Sequence, residues 1–234
     1  YDAIDDADLD EMQEEKLSRQ FSKDYQVITR DDRLNTVAED IVNHFVNRGY
    51  DGKAMVVSVD KFTAARTYDK CQYYWKKKIE ELKAKAKSAS KDEAELLKAK
   101  IRGMENTDMA LVISQAQNEA KKFKEIGFDI LPHRKRMVRE QLAEKFKDPD
   151  DPLRLVFLCP MWLTGFDAPN CSTVYLDKPM RNHTLMQTIA RANRVFPGKH
   201  SGVIVDYANV FASLERALAI YAQGKGGALP VRDK

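Results

Sequence analysis

The sequence predicts an α/β fold in which a parallel sheet is covered by helices on both faces. Five short apolar runs of strand length are spaced along the chain, at 53–58, 109–114, 155–159, 172–176 and 202–206. Stretches with helical spacing separate them, and this alternation is typical of parallel strands that are buried on both sides. We expect the active loops at the carboxyl ends of these strands, as in other open α/β sheets.

Length and composition exclude several classes of protein. The chain has 234 residues, 43% of them hydrophobic, so one domain can bury a sizeable core. No apolar run approaches the roughly 20 residues that span a bilayer, and no signal-peptide pattern opens the chain. We therefore expect a soluble, cytoplasmic protein without a membrane partner. The net charge of +3 is too small to indicate a nucleic-acid partner by itself.

The cysteines and histidines do not predict a metal site. Cys71, Cys159 and Cys171 are odd in number and lack metal-ligand spacing, so we expect reduced thiols. The four histidines have no acidic or cysteine partner at such spacing. A metalloenzyme and a histidine-based hydrolase are both disfavoured.

The first part of the chain combines an acidic stretch with a helix. Tyr1 in place of Met suggests a fragment of a longer polypeptide or a processed product. Residues 1–20 are acid-rich and predict a solvated linker or the start of a helix. From Asp32 apolar residues recur at spacings of three and four residues, which predicts a helix. Asp31 or Asp32 is the candidate N-terminal cap of this helix, and Gly49 would end it. This helix should pack on the sheet.

The first predicted strand, 53–58, follows Gly52 and precedes a helix from about Asp60. Gly52 and Lys53 suggest a phosphate-binding loop, but Ala54 and a strand come next. A Walker A loop needs a glycine-rich loop before a helix and a hydroxyl after the lysine. The chain therefore lacks that loop.

Residues from about Thr67 to Glu105 predict two antiparallel helices. Two apolar stripes are divided at 88–90, and Ser90 with Glu93 fits a capping box. From Lys61 to Arg102 there are thirteen basic and six acidic residues, a net charge of 13 − 6 = +7. This surface could lie against DNA phosphates, but lysine- and glutamate-rich helices are more often simply solvated, and we favour that reading.

The second half predicts further helices between strands. We expect helix at the start of 115–128, a helix over 133–146 that includes Val138, and a turn at 148–152. Another helix should run from about 183 to 191. Apolar spacing from 210 to 221 predicts a closing helix. We expect residues 223–234 to form a flexible tail or a link to a missing domain.

Two polar motifs follow the central strand. Residues 164–169 read Thr-Gly-Phe-Asp-Ala-Pro, and residues 187–194 read Gln-Thr-Ile-Ala-Arg-Ala-Asn-Arg. Gln187 and Arg191 share one helical face, which Arg194 extends by nearly another turn. Two adjacent arginines repel each other unless an anion such as phosphate receives them. Two solvated arginines are the alternative when this motif is taken alone.

In order and spacing these motifs resemble motifs V and VI of superfamily 2 helicases and translocases. LTGFDAP followed by QTIARANR is similar to the motor (R) subunit of type I restriction enzymes, and residues 52–68 resemble motif IV of the same superfamily. The resemblance implies the second, C-terminal RecA-like lobe over 21–222, with the charged helical hairpin inserted at about 67–105. Ala190 departs from the glycine of many helicases.

The resemblance also implies the ligand. ATP with Mg²⁺ would lie between two such lobes, with the Walker loop, magnesium ligands and catalytic glutamate on the first lobe, outside this chain. Arg191 and Arg194 would reach the γ-phosphate as arginine fingers. Gln187 would align the arginines or the nucleotide, and Asp167 would meet the ribose or an arginine. Gly165 would let the backbone come close.

By the same resemblance, the partners are double-stranded DNA, the first lobe of the same polypeptide, and methylation and specificity subunits of a restriction complex. The expected DNA backbone contacts are Ser58, Lys61, Ser114 and Thr164, with a merely solvated Lys61 as the alternative. The chain contains no endonuclease pattern, so cleavage would lie elsewhere in the polypeptide. The fragment alone is expected to be inactive, because it holds half of an ATP site.

Three kinds of function remain open at this point. The first is the ATPase lobe of a type I restriction enzyme or of a repair-type superfamily 2 helicase. The second is a non-catalytic RecA-like scaffold that binds DNA or a partner, although the joint presence of Asp167, Gln187, Arg191 and Arg194 argues against it. The third is an unrelated small α/β enzyme, which the lack of a phosphate loop or nucleophile–base pair disfavours.

Overall fold

The strands of this computed structural model form a single parallel sheet. The structure describes residues 23–159, 166–180, 185, 187, 188, 190, 192–197, 199, 201–211 and 215. The described strands are β1 (Lys53–Ser58), β2 (Asp108–Val112), β3 (Leu153–Leu158), β4 (Cys171–Asp177) and β5 (Val203–Asp206). They lie in the order β2-β3-β1-β4-β5 with every pairing parallel, which confirms the predicted RecA-like α/β arrangement.

Six helices are bounded by described residues. They are α1 (Asp31–Asn47), α2 (Lys61–Ser88), α3 (Lys91–Glu105), α4 (Glu119–Glu125), α5 (Leu131–Arg139) and α6 (Leu142–Lys147). A helical turn at 23–28 precedes α1, and residues 210, 211 and 215 are helical within the predicted closing helix. The predicted acidic linker at 1–20 and the tail at 223–234 lie outside the described residues.

Each face of the sheet carries its own apolar core. In β1, Ala54 and Val56 point to the first core, and Met55 and Val57 to the second. This alternation follows from the two-residue period of a strand. Helices α1, α2 and α3 cover the first face, whereas α6 and the helical residues near 185–192 cover the second. Burial on both sides explains why the strands are mainly apolar and do not alternate apolar with polar residues.

Helix α1 begins without the predicted side-chain cap. The N-cap residue is Arg30, and no side chain caps this end. Asp31 and Asp32 lie in the first turn instead, where carboxylates favour the positive end of the helix dipole. The capping prediction was therefore wrong. Gly49 has φ 73°, a left-handed conformation that suits glycine just past the end of the helix.

The predicted helical hairpin is confirmed as α2 and α3. Helix α2 continues without a break from the helix after β1, and Asp60 caps it by accepting a hydrogen bond from the Thr63 amide at 2.7 Å. Ser90 accepts from the Glu93 amide at 3.4 Å, as the capping box predicts. Five lysines of α2 form ion pairs with carboxylates: Lys70–Asp31, Lys77–Glu39, Lys78–Glu81, Lys83–Glu105 and Lys85–Glu93. This pairing favours solvated helices over phosphate contact.

The helices between β2 and β3 differ from the prediction. The start of 115–128 is not helical, because the Ala116 amide bonds to the Glu119 carboxylate and Asn118 takes φ 56° before α4 begins. The helix predicted over 133–146 is broken between α5 and α6. Val138, placed in its apolar stripe, is 77% exposed. No helix of the described part is both long and apolar enough to cross a membrane.

Candidate functional site

Asp167 and Arg194, one from each polar motif, meet at the surface. Arg194 Nε lies 3.4 Å from Asp167 Oδ1, and the two side chains are 56% and 57% exposed. An exposed pair of this kind contributes about 0–1 kcal/mol to stability, because water screens it and two side chains must be ordered. The guanidinium can therefore exchange Asp167 for another anion at little cost.

Buried neighbours fix the direction of Asp167. Phe166 and Ala168 are 8% and 3% exposed and belong to the second core. The Phe166 ring lies 6.3 Å from the ring of Phe146 on α6. The Cys171 amide donates to the Ala168 carbonyl at 3.0 Å and closes a turn before β4. Because the residues on both sides point inward, the Asp167 carboxylate points to solvent.

Most of the second motif lies on a helix that is anchored at three described positions. Leu185, Thr188 and Ala192 are buried at spacings of three and four, while Gln187 is partly buried. The helix ends at residue 192, so Arg194 lies just beyond it and does not extend its face as predicted. The chain turns there because Asn193 Oδ1 accepts the Gly202 amide at 3.1 Å.

The Asp167–Arg194 pair lies near the amino ends of β4 and β5, whereas we expected the active loops at the carboxyl ends of the strands. Asp167 is four residues before Cys171, the first residue of β4. Gly202, which bonds to the residue before Arg194, directly precedes β5. The loop leaves β3 at its carboxyl end, but Phe166 and Ala168 are buried beside α6. That burial brings Asp167 to the other end of the sheet.

Ser58, Lys61 and Ser114 lie at the carboxyl ends of β1 and β2. Ser58 is 0% exposed, and its hydroxyl has no hydrogen-bond partner within the described part of the chain. Lys61 is partly buried in the first turn of α2, and Ser114 is exposed. The structure thus leaves Lys61 and Ser114 accessible to a backbone phosphate, whereas Ser58 would first have to be uncovered.

An ion pair holds the Ser114 loop. Arg134 places two nitrogens on the carboxylate of Glu119 at 2.7 and 2.8 Å and donates to the Ile113 carbonyl at 2.9 Å. Burial raises the pKa of Glu119, but the hydrogen bonds from Arg134 and from the Ala116 amide, with the charges of Arg134 and Lys61, outweigh it, so the pKa lies below its ordinary value. This carboxylate therefore stays ionised and, through Arg134, links the loop after β2 to α5.

Three predicted site residues, Thr164, Gly165 and Arg191, lie outside the described residues, so their roles stay predictions. Sequence reasoning missed Lys199, whose ammonium donates to the carbonyls of Pro169 and Cys171. A lysine in a turn shortly before an apolar strand was the available signal.

The cysteines are free thiols, and burial raises the pKa of Cys159 and of Cys171 to about 11. In the part the structure describes, no three His, Cys, Asp or Glu side chains could hold a metal ion together.

The fold and the site together define a class, a RecA-like α/β lobe with an exposed arginine and aspartate beside its sheet. The family model described as type I restriction enzyme subunit R domain 3 matches residues 52–209, more than half of the chain. The chain therefore belongs to the type I restriction enzyme R-subunit family, in its domain 3-like region. This result favours our R-subunit prediction over a repair-type helicase and over an unrelated enzyme.

Curated relatives agree with the family match. The chain is 35% identical over 211 residues to the putative type I restriction enzyme MjaIXP endonuclease subunit of Methanocaldococcus jannaschii, covering 89% of this chain and 17% of that protein. It is 52% identical over 91 residues to the type I restriction enzyme HindI endonuclease subunit of Haemophilus influenzae, covering 38% and 9%. The chain thus spans less than a fifth of the length of either relative.

Proposed function

We propose that this chain is the second motor lobe of an ATP-dependent DNA translocase within a type I restriction enzyme. The observation that carries the proposal is the Asp167–Arg194 pair: a guanidinium more than half exposed, 3.4 Å from its only ion-pair partner among the described residues. Such a group is suited to an anion that arrives from outside the chain. The first lobe of the same polypeptide would present that anion as the γ-phosphate of ATP.

The chain's own residues would act on the phosphate side of the cleft. Arg194, and Arg191 beside it in sequence, would hold charge near the transferring group, where negative charge is redistributed in the transition state. Asp167 would keep the Arg194 guanidinium oriented until nucleotide arrives, or meet the ribose. Gln187 would align the arginines or the nucleotide, and Gly165 would allow close backbone approach. ATP with Mg²⁺ supplies the phosphoryl group, with the magnesium ligands on the first lobe.

The opposite end of the sheet would carry the DNA contacts. Lys61 and Ser114 are accessible there, and Ser58 and Thr164 complete the proposed set. Contacts of this type hold the phosphate backbone without reading bases, as a motor that moves along double-stranded DNA requires. Methylation and specificity subunits would supply sequence recognition, and cleavage would lie elsewhere in the R polypeptide. The isolated chain should not turn over ATP.

Steady-state ATPase kinetics of the full-length R subunit test this proposal. We expect Arg194→Ala and Arg191→Ala each to lower kcat, by on the order of 10³-fold as for other arginine fingers, with a smaller change in KM. Arg102→Ala is the matched control, because this exposed arginine lies on α3, away from the site. Normal turnover in both test variants would overturn the proposal and favour the scaffold alternative.

A further inference from the structure

The two segments that carry Asp167 and Arg194 are joined a second time, through Lys199. Its ammonium donates to the Pro169 carbonyl at 3.0 Å and to the Cys171 carbonyl at 2.7 Å. Lys199 forms no ion pair with any carboxylate of the described residues. Burial lowers its pKa, since desolvation disfavours the charged form. The charge of Lys199 is therefore used for two backbone contacts on one loop.

A close approach fixes the other side of the same segment. The Gly202 amide donates to Asn193 Oδ1 at 3.1 Å. A Cβ atom added at Gly202 would come within 2.7 Å of Ala192 Cβ and still closer to the Ala192 carbonyl. Only glycine allows this contact, which presses the end of the motif helix onto the start of β5. Arg194 is thus flanked by two anchored neighbours.

A tight turn brings Lys199 back toward the sheet. Phe196 and Lys199 form an antiparallel bridge, in which the Lys199 amide donates to the Phe196 carbonyl at 3.0 Å. This turn reverses the chain after Arg194, so that the Lys199 side chain reaches the loop just after Asp167. The Arg194–Asp167 pair and the Lys199–Pro169 contact therefore join the same two segments.

These two joints differ in strength and exposure. The Arg194–Asp167 pair is exposed on both sides, whereas the Lys199 contacts are partly buried and made to carbonyls that cannot titrate. Hydrogen bonds from a charged donor to partly buried acceptors contribute more to stability than an exposed ion pair does. When Arg194 leaves Asp167 for another anion, the Lys199 contacts stay.

We propose that Lys199 is a positioning residue, which, supported by Asn193 and Gly202, holds Arg194 at a fixed place relative to the Asp167 loop while its guanidinium changes partner. This inference rests on the proposed function, because it assigns Arg194 to a phosphate. Preorganised groups stabilise a transition state because no reorganisation is needed during reaction. A displaced arginine should still allow nucleotide binding but slow turnover.

Kinetics of the full-length R subunit carrying Lys199→Met or Lys199→Arg test the inference. Lys199→Met keeps the length of the side chain and removes the donor, so we expect kcat to fall about 10- to 100-fold, as for other small misplacements of reacting groups, with KM for ATP changed far less. Lys199→Arg can donate to both carbonyls and should recover most of the lost turnover.

Lys53→Met is the matched control. Lys53 is also a buried lysine whose ammonium donates to a backbone carbonyl, that of Lys145 at 2.7 Å. Its contact with the Asp167 segment, a bond to the Asn170 carbonyl, is made by its backbone amide, which the substitution keeps. We expect this variant to keep its kcat even if it unfolds at lower temperature. If Lys53→Met lowers kcat as much as Lys199→Met, loss of stability explains both results and the positioning role is wrong.

Amide hydrogen exchange gives a readout that does not depend on activity. In Lys199→Met, exchange should accelerate in residues 166–171 and 192–202, and in Lys53→Met it should not. Suppose that Arg194→Ala slows turnover, as the proposed function requires. Unchanged amide exchange and an unchanged kcat in Lys199→Met would then overturn the inference about Lys199 alone. If Arg194→Ala itself left kcat unaltered, the proposed function would fail first, even with altered exchange in Lys199→Met.

Discussion

The guanidinium of Arg33 on α1 forms a bidentate ion pair with the carboxylate of Asp177 at the carboxyl end of β4. Its two terminal nitrogens lie 2.6 and 3.2 Å from the two carboxylate oxygens, and Asp177 is 0% exposed. The same guanidinium donates to the carbonyls of Ile28 and Tyr207 at 2.9 Å each. One side chain therefore joins the helical turn before α1 to the ends of two neighbouring strands.

Removal of Arg33 should strongly destabilise the fold. In Arg33→Ala the Asp177 carboxylate would stay buried without its partner, and such a change typically costs about 3–5 kcal/mol. Urea unfolding of this chain measures the loss. Arg30→Ala is the control, because Arg30 pairs with an equally exposed Asp32, and water screening makes such a pair contribute far less to stability. Equal losses in the two variants would contradict the argument.

Asp167 should matter for turnover and not for folding. Because its pair with Arg194 is exposed, Asp167→Ala should change the free energy of unfolding by about 0.5 kcal/mol or less. In the full-length R subunit we expect the same variant to lower the ATPase kcat, since Arg194 loses the carboxylate that orients it. Asp32→Ala removes an exposed, arginine-paired carboxylate elsewhere and should leave kcat unchanged. A normal kcat for Asp167→Ala would exclude the orienting role.

DNA binding by this chain should be weak, independent of sequence and sensitive to salt. Phosphate contacts release counterions, so affinity falls as salt rises, and the slope of log K against log salt reports the number of contacts. Lys61→Ala should reduce that slope by about one unit. Lys87→Ala, at the exposed tip of the hairpin, should leave it unchanged. Base-specific binding that survives high salt would show a recognition module instead.

Acid should weaken the fold partly through His133. Burial lowers its pKa, as does the charge of Arg136, against opposing contributions from Asp129 and Asp69. When the pKa of a histidine is lower in the folded state than in the unfolded state, its contribution to stability is fully present at a pH above the unfolded pKa of about 6.5. That contribution is lost as the pH falls through the pKa of the folded state. His133→Phe can keep the stacking on Phe128. Its urea-unfolding stability should therefore fall less between neutral and mildly acidic pH than that of the wild type.

The strands were predictable because burial on both sides leaves a signal that is local in sequence. Each of the five runs is mainly apolar, and the structure forms a strand at each. The break between α5 and α6 was not predictable, since helical spacing continues across it. Glu140 accepts hydrogen bonds from Arg136 and Lys145 there, and these are side-chain contacts that periodicity does not encode.

The candidate site was predictable in its residues but not in its place. The motifs identified Asp167 and Arg194, which the structure brings to 3.4 Å. Their position near the amino ends of the strands depends on how Phe166 and Ala168 pack, which is a property of the tertiary fold. Lys199 was missed because its place before the last strand was the one signal, and its acceptors are backbone carbonyls, which no sequence motif marks.

The separation of Asp167 and Arg194 from Lys61 and Ser114 has a mechanical consequence. The first pair lies near the amino ends of β4 and β5, and the second at the carboxyl ends of β1 and β2. A hydrogen-bonded sheet with a packed core on each face resists bending. Any tilt about an axis through its middle therefore moves its two ends in opposite directions, as in a rocker. A small displacement of the Asp167–Arg194 end would therefore be accompanied by a displacement of the Lys61 and Ser114 end in the opposite direction.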